Sequence, residues 1–276
     1  MTALAWSAAR IDCDGIGRSA TDCLKLEIAT YPKPGLVSPV DTGAHDDMDA
    51  AMMDRSAAVL EPFFARLAEA GATGAAMDRL RAIGIEAEVA MMAATGGVNT
   101  HRGAIFGMGL LSAAAGFRTA YGVPGTLGMI VAQRWGAEIF NGPVPLHSHG
   151  STVARRHASG GARAEAAAGF PALYRVALPA LIEGRRLAAD GEAGRVHALM
   201  ALIAEVEDTN LLYRGGLDGL AFAQARATEF LATGGVGRDD WRARATAMHR
   251  AFTVRRLSPG GCADLLAMAL FVETQA

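Results

Sequence analysis

The sequence lacks most of the features that mark secreted, membrane-spanning or nucleic-acid-binding proteins. Its three cysteines, Cys13, Cys23 and Cys262, have no CxxC spacing, which argues against a disulfide framework or a structural zinc site and favours a reducing cytoplasm. Residues 1–10 lack the basic-then-apolar order of a secretory signal, and the longest apolar run, residues 103–116, is short of the roughly 20 residues that span a bilayer. The net charge is only −2, so no global basic field attracts nucleic acid or an anionic membrane, and any phosphate recognition must be local. We therefore expect a cytoplasmic protein with neither nucleic acid nor a membrane among its partners.

Strand signals are also scarce. Aromatic residues make up 6% of the chain, β-branched residues are few in its apolar runs, and no run alternates as a strand does. With 51% hydrophobic residues among 276 and no change of composition along the chain, the sequence predicts one compact all-α domain of about ten helices, residues 1–276. Apolar residues at helical spacing place these helices near residues 16–30, 46–70, 76–95, 101–116, 123–140, 171–189, 193–213, 216–233, 239–256 and 259–274.

Two stretches rich in proline and glycine interrupt this helical pattern, residues 31–45 and 141–170. Both are long for connections inside a helical domain, which makes them candidate functional loops. In the first, Pro34 and Gly35 suit a type II turn, and the prolines on either side of Lys33 restrict its backbone. Lys33 is therefore either a positioned functional residue or an ordinary solvated lysine.

Positive side chains stand at a predicted helix start, where the helix dipole ordinarily favours acidic residues. Asn99 or Thr100 can cap a helix whose first turn carries His101 and Arg102. A phosphate or carboxylate ligand between these cations and the free N–H groups would explain the arrangement. The alternative is an ordinary ion pair between the arginine and a protein carboxylate.

The same arrangement recurs at two other helix junctions. Arg255-Arg256 precede Ser258, a predicted N-cap that is followed by Pro259-Gly260-Gly261. Arg214-Gly215-Gly216 separates two further predicted helices. Three junctions of this kind favour a polyanionic ligand.

Acidic residues supply candidate metal ligands. Residues 41–49 place His45 among four carboxylates, which is read either as a magnesium site or as the acidic first turn of a helix. Glu205 and Asp208 are predicted at the C-terminal end of a helix, against its dipole, so they need a cation, either Mg²⁺ or an arginine. Asp264 is predicted in the first turn of the last helix, where the dipole alone explains it.

These segments together carry a family resemblance. They occur in order as Glu27 with Pro32-Lys33-Pro34-Gly35-Leu36-Val37, Gly43-Ala44-His45 with Asp47-Met48, Asn99-Thr100-His101-Arg102-Gly103-Ala104-Ile105-Phe106, Gly161, Arg163 and Glu165 with Gly169-Phe170-Pro171, Asp208-Thr209-Asn210 with Arg214-Gly215-Gly216, and Ser258-Pro259-Gly260-Gly261 with Asp264-Leu265-Leu266-Ala267. With these motifs the chain resembles the triphosphoribosyl-dephospho-CoA synthase family. Two positions depart from the family pattern: Arg102 stands where lysine is expected, and Ala164 where glycine is common.

The resemblance implies an all-α enzyme that joins ATP to the ribose 2′-hydroxyl of 3′-dephospho-CoA and releases adenine. Breaking a ribose C1′–N9 bond passes through an oxocarbenium-like state, as in glycoside chemistry. Mg²⁺ is the expected cofactor, with ATP as substrate. The expected downstream partner is the acyl carrier protein transferase system of malonate decarboxylase or citrate lyase, with a homodimer as a possible assembly.

The resemblance also implies site residues. Lys33, Arg102 and Arg214 are assigned as phosphate anchors, and either His45 or His101 handles a proton. The residues assigned to catalysis are Glu27, His45, His101 and Asp208. Those assigned to metal binding are Asp47, Asp208 and Asp264. Those assigned to nucleotide binding are Lys33, Gly35, Asn99, Thr100, Arg102, Gly103, Arg163, Glu165, Asn210, Arg214, Gly215, Gly216, Ser258 and Gly260.

Two alternatives use the same residues differently. An all-α metal-dependent phosphohydrolase would cut ATP at phosphorus and release phosphate or pyrophosphate. A non-catalytic nucleotide-binding partner of an acyl-carrier system would bind ATP without turnover. The products of an incubation with ATP and dephospho-CoA distinguish the three functions, since only the transferase releases free adenine.

Overall fold

The computed structural model describes residues 11–143 and 160–276. Within these ranges the chain forms eleven α-helices and no strand, so the predicted all-α fold is confirmed. The helices are α1 Cys13–Ala29, α2 Ala50–Ala72, α3 Met77–Ala94, α4 Arg102–Tyr121, α5 Leu127–Asn141, α6 Gly161–Ala167, α7 Leu178–Leu187, α8 Gly191–Glu205, α9 Thr209–Ala232, α10 Trp241–Val254 and α11 Gly260–Thr274.

Three predicted boundaries differ from the structure. The stretch predicted as irregular contains α6 at its end, while residues 144–159 of it lie outside the described part. The helix predicted at 171–189 begins with a π-helical segment, Leu173–Ala177, before α7. The predicted helix 193–213 ends early because Val206 adopts an extended conformation, and a new helix starts at Thr209.

Helices α2 and α4 form the centre of the core. Most residues of α4 are buried around its whole circumference. A Cβ atom on Gly71 would stand 1.9 Å from the Ala113 carbonyl oxygen, and one on Gly116 would stand 1.9 Å from the Ala68 carbonyl oxygen. The two backbones therefore approach each other more closely than any side chain would allow. Among the described helices, none combines the length and the apolar character needed to cross a membrane.

The loop between α1 and α2 packs against the junction of α10 and α11. Gly35 has φ 67°, and the Leu36 N–H donates to the Lys33 carbonyl oxygen at 3.2 Å, which confirms the predicted turn. A Cβ atom on Gly35 would stand 1.9 Å from the Leu257 carbonyl oxygen, so only glycine permits this contact. The loop thus brings Lys33 to the ends of helices that are distant in sequence.

His249 on α10 holds this loop in place. Its Nδ1 lies 2.6 Å from the Lys33 carbonyl oxygen and 3.2 Å from the Gly35 nitrogen. Its Nε2 lies 2.9 Å from Asp41 Oδ1. The buried imidazole therefore fixes both ends of the turn. The sequence has no local signal for this role, because the partners of His249 are more than two hundred residues away.

Candidate active site

A buried ion pair anchors the deepest part of the candidate site. Lys33 Nζ lies 2.6 Å from Glu27 Oε1 and donates to the Glu27 carbonyl oxygen at 2.8 Å. Only 1% of Lys33 is exposed, and burial lowers the pKa of its ammonium while Glu27 raises it. We call Glu27, Lys33, His101 and Asp264 the inner group.

Asp264 contributes a carboxylate that has no hydrogen bond or ion pair within residues 11–143 and 160–276. It lies against α4, since a Cβ atom on Gly103 would stand 2.1 Å from Asp264 Oδ2. Burial raises the pKa of Asp264 well above its ordinary value, and the negative charges of Glu27 and Asp208 raise it further. The site therefore holds an acidic group that the protein itself does not neutralise.

The dipole explanation for Asp264 is wrong. Helix α11 begins at Gly260, which makes Asp264 its fifth residue. The stabilisation of acids by the helix dipole falls off within the first turn. The helix dipole therefore does not explain why a carboxylate stands at this position.

Asp208 is the N-cap of α9, and its predicted placement at a helix C-terminus is wrong. Its Oδ1 accepts from the backbone N–H groups of Asn210 at 2.7 Å and Leu211 at 3.1 Å. Its Oδ2 accepts from the Cys262 N–H at 2.8 Å. Burial raises the pKa of Asp208, while these hydrogen bonds act in the opposite direction. Asp208 therefore ties the first turn of α9 to the first turn of α11.

His101 is the N-cap residue of α4 and is 3% exposed. Its Nδ1 lies 2.8 Å from the Ser56 hydroxyl oxygen. Its Nε2 is buried and has no hydrogen-bond partner in the described part of the chain. Burial lowers the pKa of His101 to about 4, and the charge of Lys33 contributes. The ring is therefore neutral at pH 7.

Arg102 forms an ordinary ion pair in this structure. Its Nε lies 2.9 Å from Glu88 Oε2, and both side chains are about two-fifths exposed, at 40% and 38%. The ion pair named above as the alternative therefore exists, and the assignment of Arg102 to the nucleotide stays a prediction. The predicted N-cap at Asn99 or Thr100 is wrong, since His101 holds that position, but Asn99 Oδ1 accepts from the Arg102 N–H at 3.2 Å. Thr100 bonds to Ser56 instead.

A second set of side chains lies closer to the surface, at the junction of α10 and α11. We call His45, Asp47, Arg214 and Ser258 the outer group. His45 Nε2 lies 2.9 Å from Ser258 Oγ, while His45 Nδ1 lies 3.2 Å from Arg214 Nη2 and 3.5 Å from Asp47 Oδ1. A guanidinium can only donate, so Nδ1 accepts and the Nε2–H donates to Ser258. Burial and Arg214 lower the pKa of His45, against the influence of Asp47.

The predicted capping role of Ser258 is wrong. The N-cap position of α11 is Pro259, which makes no side-chain capping hydrogen bond, and the Cys262 N–H of the first turn donates to Asp208. The Ser258 hydroxyl is held by His45 instead. Arg214 also donates to the carbonyl oxygens of Ala44 at 3.0 Å and Arg256 at 3.3 Å. The outer group is thus a connected set of protein contacts.

The glycines assigned to nucleotide binding have different surroundings. A Cβ atom on Gly215 would stand 2.6 Å from Leu257 Cδ2, and one on Gly260 would stand 2.9 Å from Asn210 Nδ2, so either would displace the end of a neighbouring side chain. Gly216 has φ 61° and kinks α9, and nothing lies within 4 Å of its missing Cβ. The predicted junction at Gly216 therefore exists as a kink within one helix.

Arg163 and Glu165 make structural contacts away from both groups. Arg163 Nη2 donates to the carbonyl oxygens of Ile139 at 2.6 Å and Gly142 at 2.8 Å, at the end of α5. Glu165 Oε1 accepts from the Ala172 N–H at 2.6 Å, and burial raises its pKa. These contacts account for both residues without a ligand, and their assignment to nucleotide binding stays a prediction.

The three predicted metal ligands do not converge. Asp47 belongs to the outer group, and Asp208 uses both carboxylate oxygens for backbone N–H groups. Across the described residues, no set of three or more histidine, cysteine, aspartate or glutamate side chains could hold a metal ion. Asp264, with Glu27 nearby, is the remaining carboxylate donor of the predicted set.

Comparison with known proteins assigns the chain to a family. The family described as ATP:dephospho-CoA triphosphoribosyl transferase matches residues 13–275. A probable 2-(5''-triphosphoribosyl)-3'-dephosphocoenzyme-A synthase from Stutzerimonas stutzeri is 38% identical, over 99% of this chain and 96% of the relative. A 2-(5''-triphosphoribosyl)-3'-dephosphocoenzyme-A synthase from Klebsiella pneumoniae is 39% identical, over 94% of this chain and 93% of the relative. No solved structure gives a significant match. The chain belongs to the ATP:dephospho-CoA triphosphoribosyl transferase family.

Proposed function

We propose that this chain transfers the triphosphoribosyl unit of ATP to the 2′-hydroxyl of 3′-dephospho-CoA and releases adenine. The match to the transferase family over residues 13–275 is the observation that carries this function. The inner group supports it, because a carboxylate without a protein partner suits a cationic transition state.

Asp264 is the residue that we place next to the reacting ribose. As the C1′–N9 bond breaks, positive charge develops on the sugar ring, and a nearby carboxylate stabilises that charge. Interactions of this kind are stronger where water is excluded. Asp264 is free of internal partners, while Glu27 next to it is neutralised by Lys33.

Lys33 has a different role from the one expected of a phosphate anchor. Its ammonium is fully enclosed and committed to Glu27. We propose that it holds Glu27 in place as its buried ion-pair partner, because a buried carboxylate without a cation would be strongly destabilised. Its assignment to the phosphates stays a prediction.

Arg102 and Arg214 are the better candidates for the triphosphate. Arg102 lies at the start of α4, where free N–H groups and the dipole favour an anion, and its present partner Glu88 is exposed enough to be displaced. Arg214 lies in the first half of α9, just before the kink at Gly216. Both guanidinium groups can form paired hydrogen bonds with phosphate oxygens.

The residues present fit magnesium that arrives with the nucleotide. Mg²⁺ is usually held by one or two carboxylates together with substrate phosphates, and it would neutralise charge on the triphosphate. Of the predicted metal ligands, Asp264 is the one whose oxygens have no other described partner, and a metal there is the alternative to its proposed place next to the ribose. Asp208 already accepts three backbone N–H groups, which makes it the weaker candidate.

We further propose a place for the product. A triphosphoribosyl-dephospho-CoA is the precursor of an acyl carrier protein prosthetic group, and the family resemblance suggests malonate decarboxylase or citrate lyase as its destination. Cys13, Cys23 and Cys262 are free thiols, which supports a reducing cytoplasm as the compartment.

Product analysis tests the function. The purified protein is incubated with ATP, 3′-dephospho-CoA and Mg²⁺, and the products are separated by chromatography. Free adenine and a conjugate containing both substrates are expected, in equal amounts. Release of phosphate or pyrophosphate without adenine would indicate a phosphohydrolase, and binding of ATP without any product would indicate a non-catalytic partner.

A further inference from the structure

A chain of hydroxyl groups leads from the edge of the site to the inner group. The Thr100 hydroxyl oxygen lies 2.7 Å from Ser56 Oγ, and Ser56 Oγ lies 2.8 Å from His101 Nδ1. Ser56 is on α2 and has no exposed surface, whereas Thr100 is partly exposed. The family motif includes Thr100 and His101 but says nothing of Ser56, which reaches them from a different helix.

The position of His101 is fixed from three directions. Its backbone N–H donates to Met91 Sδ at 3.2 Å, and its carbonyl oxygen accepts from the Ile105 N–H at 2.8 Å. Ser56 holds the ring through Nδ1. Only Nε2 remains, buried and without a partner among the described residues.

A buried polar atom without a partner is unfavourable, and a hydrogen bond from a ligand or a water molecule would relieve that cost. His101 lies two residues before Gly103, which borders the free carboxylate of Asp264. The ring is also close enough to Lys33 for the ammonium to influence its protonation. The open nitrogen therefore belongs to the inner group.

We propose that Ser56 is a positioning residue for the transfer reaction: it accepts the Nδ1–H of His101 and so leaves the Nε2 lone pair free to take the proton of the acceptor hydroxyl. This inference rests on the proposed function. The opposite tautomer would place an unpaired N–H donor close to the Lys33 ammonium, which electrostatics disfavours. A neutral ring at pH 7 is the form that can act as a base.

The proton transfer is balanced by the rest of the reaction. The 2′-oxygen of dephospho-CoA forms a bond to C1′ of the ribose as the C1′–N9 bond of ATP breaks. The electron pair of the broken bond leaves with adenine. The proton of the 2′-hydroxyl moves to His101 Nε2 and then to the departing adenine, so the ring is neutral again at the end of the cycle.

The first test compares hydroxyl deletions. Ser56→Ala is expected to lower kcat by about tenfold or more, because general-base catalysis typically contributes about 10²–10⁴-fold and depends on alignment of the base. KM for ATP and for dephospho-CoA should stay within about twofold, since the substrate contacts are retained. Ser56→Thr keeps the hydroxyl and should restore most of kcat.

Ser112→Ala is the matched control. Ser112 is also a fully buried serine, on the neighbouring helix α4, and its hydroxyl has no hydrogen-bond partner in the described structure. Its removal should leave kcat unchanged. Equal loss of activity in Ser112→Ala and Ser56→Ala, or full activity in Ser56→Ala, would overturn the proposal.

A second measurement is independent of turnover. In the substrate-free protein labelled with ¹⁵N-histidine, we expect the His101 ring between pH 6 and 8 to carry its proton on Nδ1, with Nε2 unprotonated. A proton on Nε2 would overturn the proposal even if Ser56→Ala does not fold. If the wild-type protein releases no adenine, the proposed function fails, whereas the tautomer of His101 still decides the role of Ser56.

Discussion

The inner and outer groups contain the same kinds of side chain, a histidine, a carboxylate and a cation. They differ in how many of these side chains have a hydrogen-bond partner within the protein. In the outer group both ring nitrogens of His45 are bonded, and Arg214 has three protein acceptors. In the inner group His101 Nε2 and the Asp264 carboxylate have no partner within the described ranges. The nitrogen atoms of His45 and Arg214 in the outer group therefore have protein partners, whereas His101 and Asp264 in the inner group have atoms available to a ligand.

The two groups also differ in how the protein controls ionisation. Burial dominates in the inner group, where it lowers the pKa of His101 to about 4 and raises that of Asp264. In the outer group burial acts on His45 together with two nearby charges of opposite sign. A mutation in the inner group should therefore change the chemical step and its pH dependence, whereas one in the outer group should change local structure and, at Arg214, the binding of the triphosphate.

Asp264→Asn is expected to have the largest effect on activity. It removes the carboxylate that faces the developing cation, and losses on the order of 10²–10³-fold in kcat are typical for one preorganised electrostatic contact. Asp47→Asn, an exposed carboxylate of the outer group, is the control and should lose far less. Adenine release measured for both variants checks the difference, and equal kcat values would contradict the contrast between the groups.

The same Asp264→Asn variant should be more stable than the wild type at pH 7. The folded-state pKa of Asp264 is raised, so the stability it contributes is present below its unfolded pKa and is lost as the pH rises through the folded value. Asparagine has no such penalty. Urea unfolding of both proteins at pH 7 measures the difference, and a less stable variant would show that Asp264 has a stabilising partner.

Asp208→Ala should affect stability instead of chemistry. It removes the N-cap of α9 and leaves the Cys262 N–H without its acceptor, which together cost about 2–4 kcal/mol in the free energy of unfolding. Asp208→Asn keeps a capping oxygen and should lose less. Urea unfolding with unchanged stability in Asp208→Ala would show that the link between α9 and α11 contributes nothing.

His101 should make stability depend on pH. Its folded-state pKa of about 4 lies below the ordinary value of 6.5, so the stability it contributes is present above pH 6.5 and is lost as the pH falls towards 4. A shift of this size corresponds to about 3 kcal/mol. The slope of unfolding free energy against pH over this range should be shallower in His101→Gln. An identical slope in the two proteins would show that burial of the ring does not affect its protonation.

Features that depend on neighbouring residues could be predicted from the sequence. The turn at Pro34-Gly35 and the all-α fold both follow from local patterns. The position of Asp208 could not be predicted, because it depends on Val206 leaving the helix well before the predicted end at residue 213. Because α8 ends at Glu205, Asp208 caps the N-terminus of α9 and does not stand at a helix C-terminus, where the dipole would oppose its charge.

Long-range features had no signal at all. The free carboxylate of Asp264 is recognisable only when its surroundings on α1, α4 and α9 are known. Ser56 and His249 act on residues 45 and 216 positions away, and neither stands in a motif of its own. The sequence motifs therefore name candidate site residues, but not the residues on other helices that hold them in place.

The smallest effects are expected from substitutions in the partly exposed ion pair of Arg102 and Glu88. The pair is about two-fifths exposed, so either alanine substitution should change the unfolding free energy by less than about 1 kcal/mol. Arg102→Ala should raise KM for ATP by about tenfold if the guanidinium moves to the phosphates, since a charge-assisted hydrogen bond is worth about 1.5 kcal/mol or more.

Glu88→Ala removes the competing carboxylate and should leave KM for ATP unchanged or lower. Steady-state kinetics with ATP as the varied substrate checks both variants. An unchanged KM in Arg102→Ala would confine Arg102 to the surface ion pair that the structure contains.

The contact of His249 with the Lys33 turn joins residues 216 positions apart along the chain. Closing so long a loop costs conformational entropy that local helix formation does not, and contacts of this range slow folding. During refolding, the pairing of α1, α2 and α4 can therefore precede the arrival of α10 and α11. Helical content should therefore return before catalytic activity. The interval between the two measures how long the loop around Lys33 and helix α10 take to come into contact.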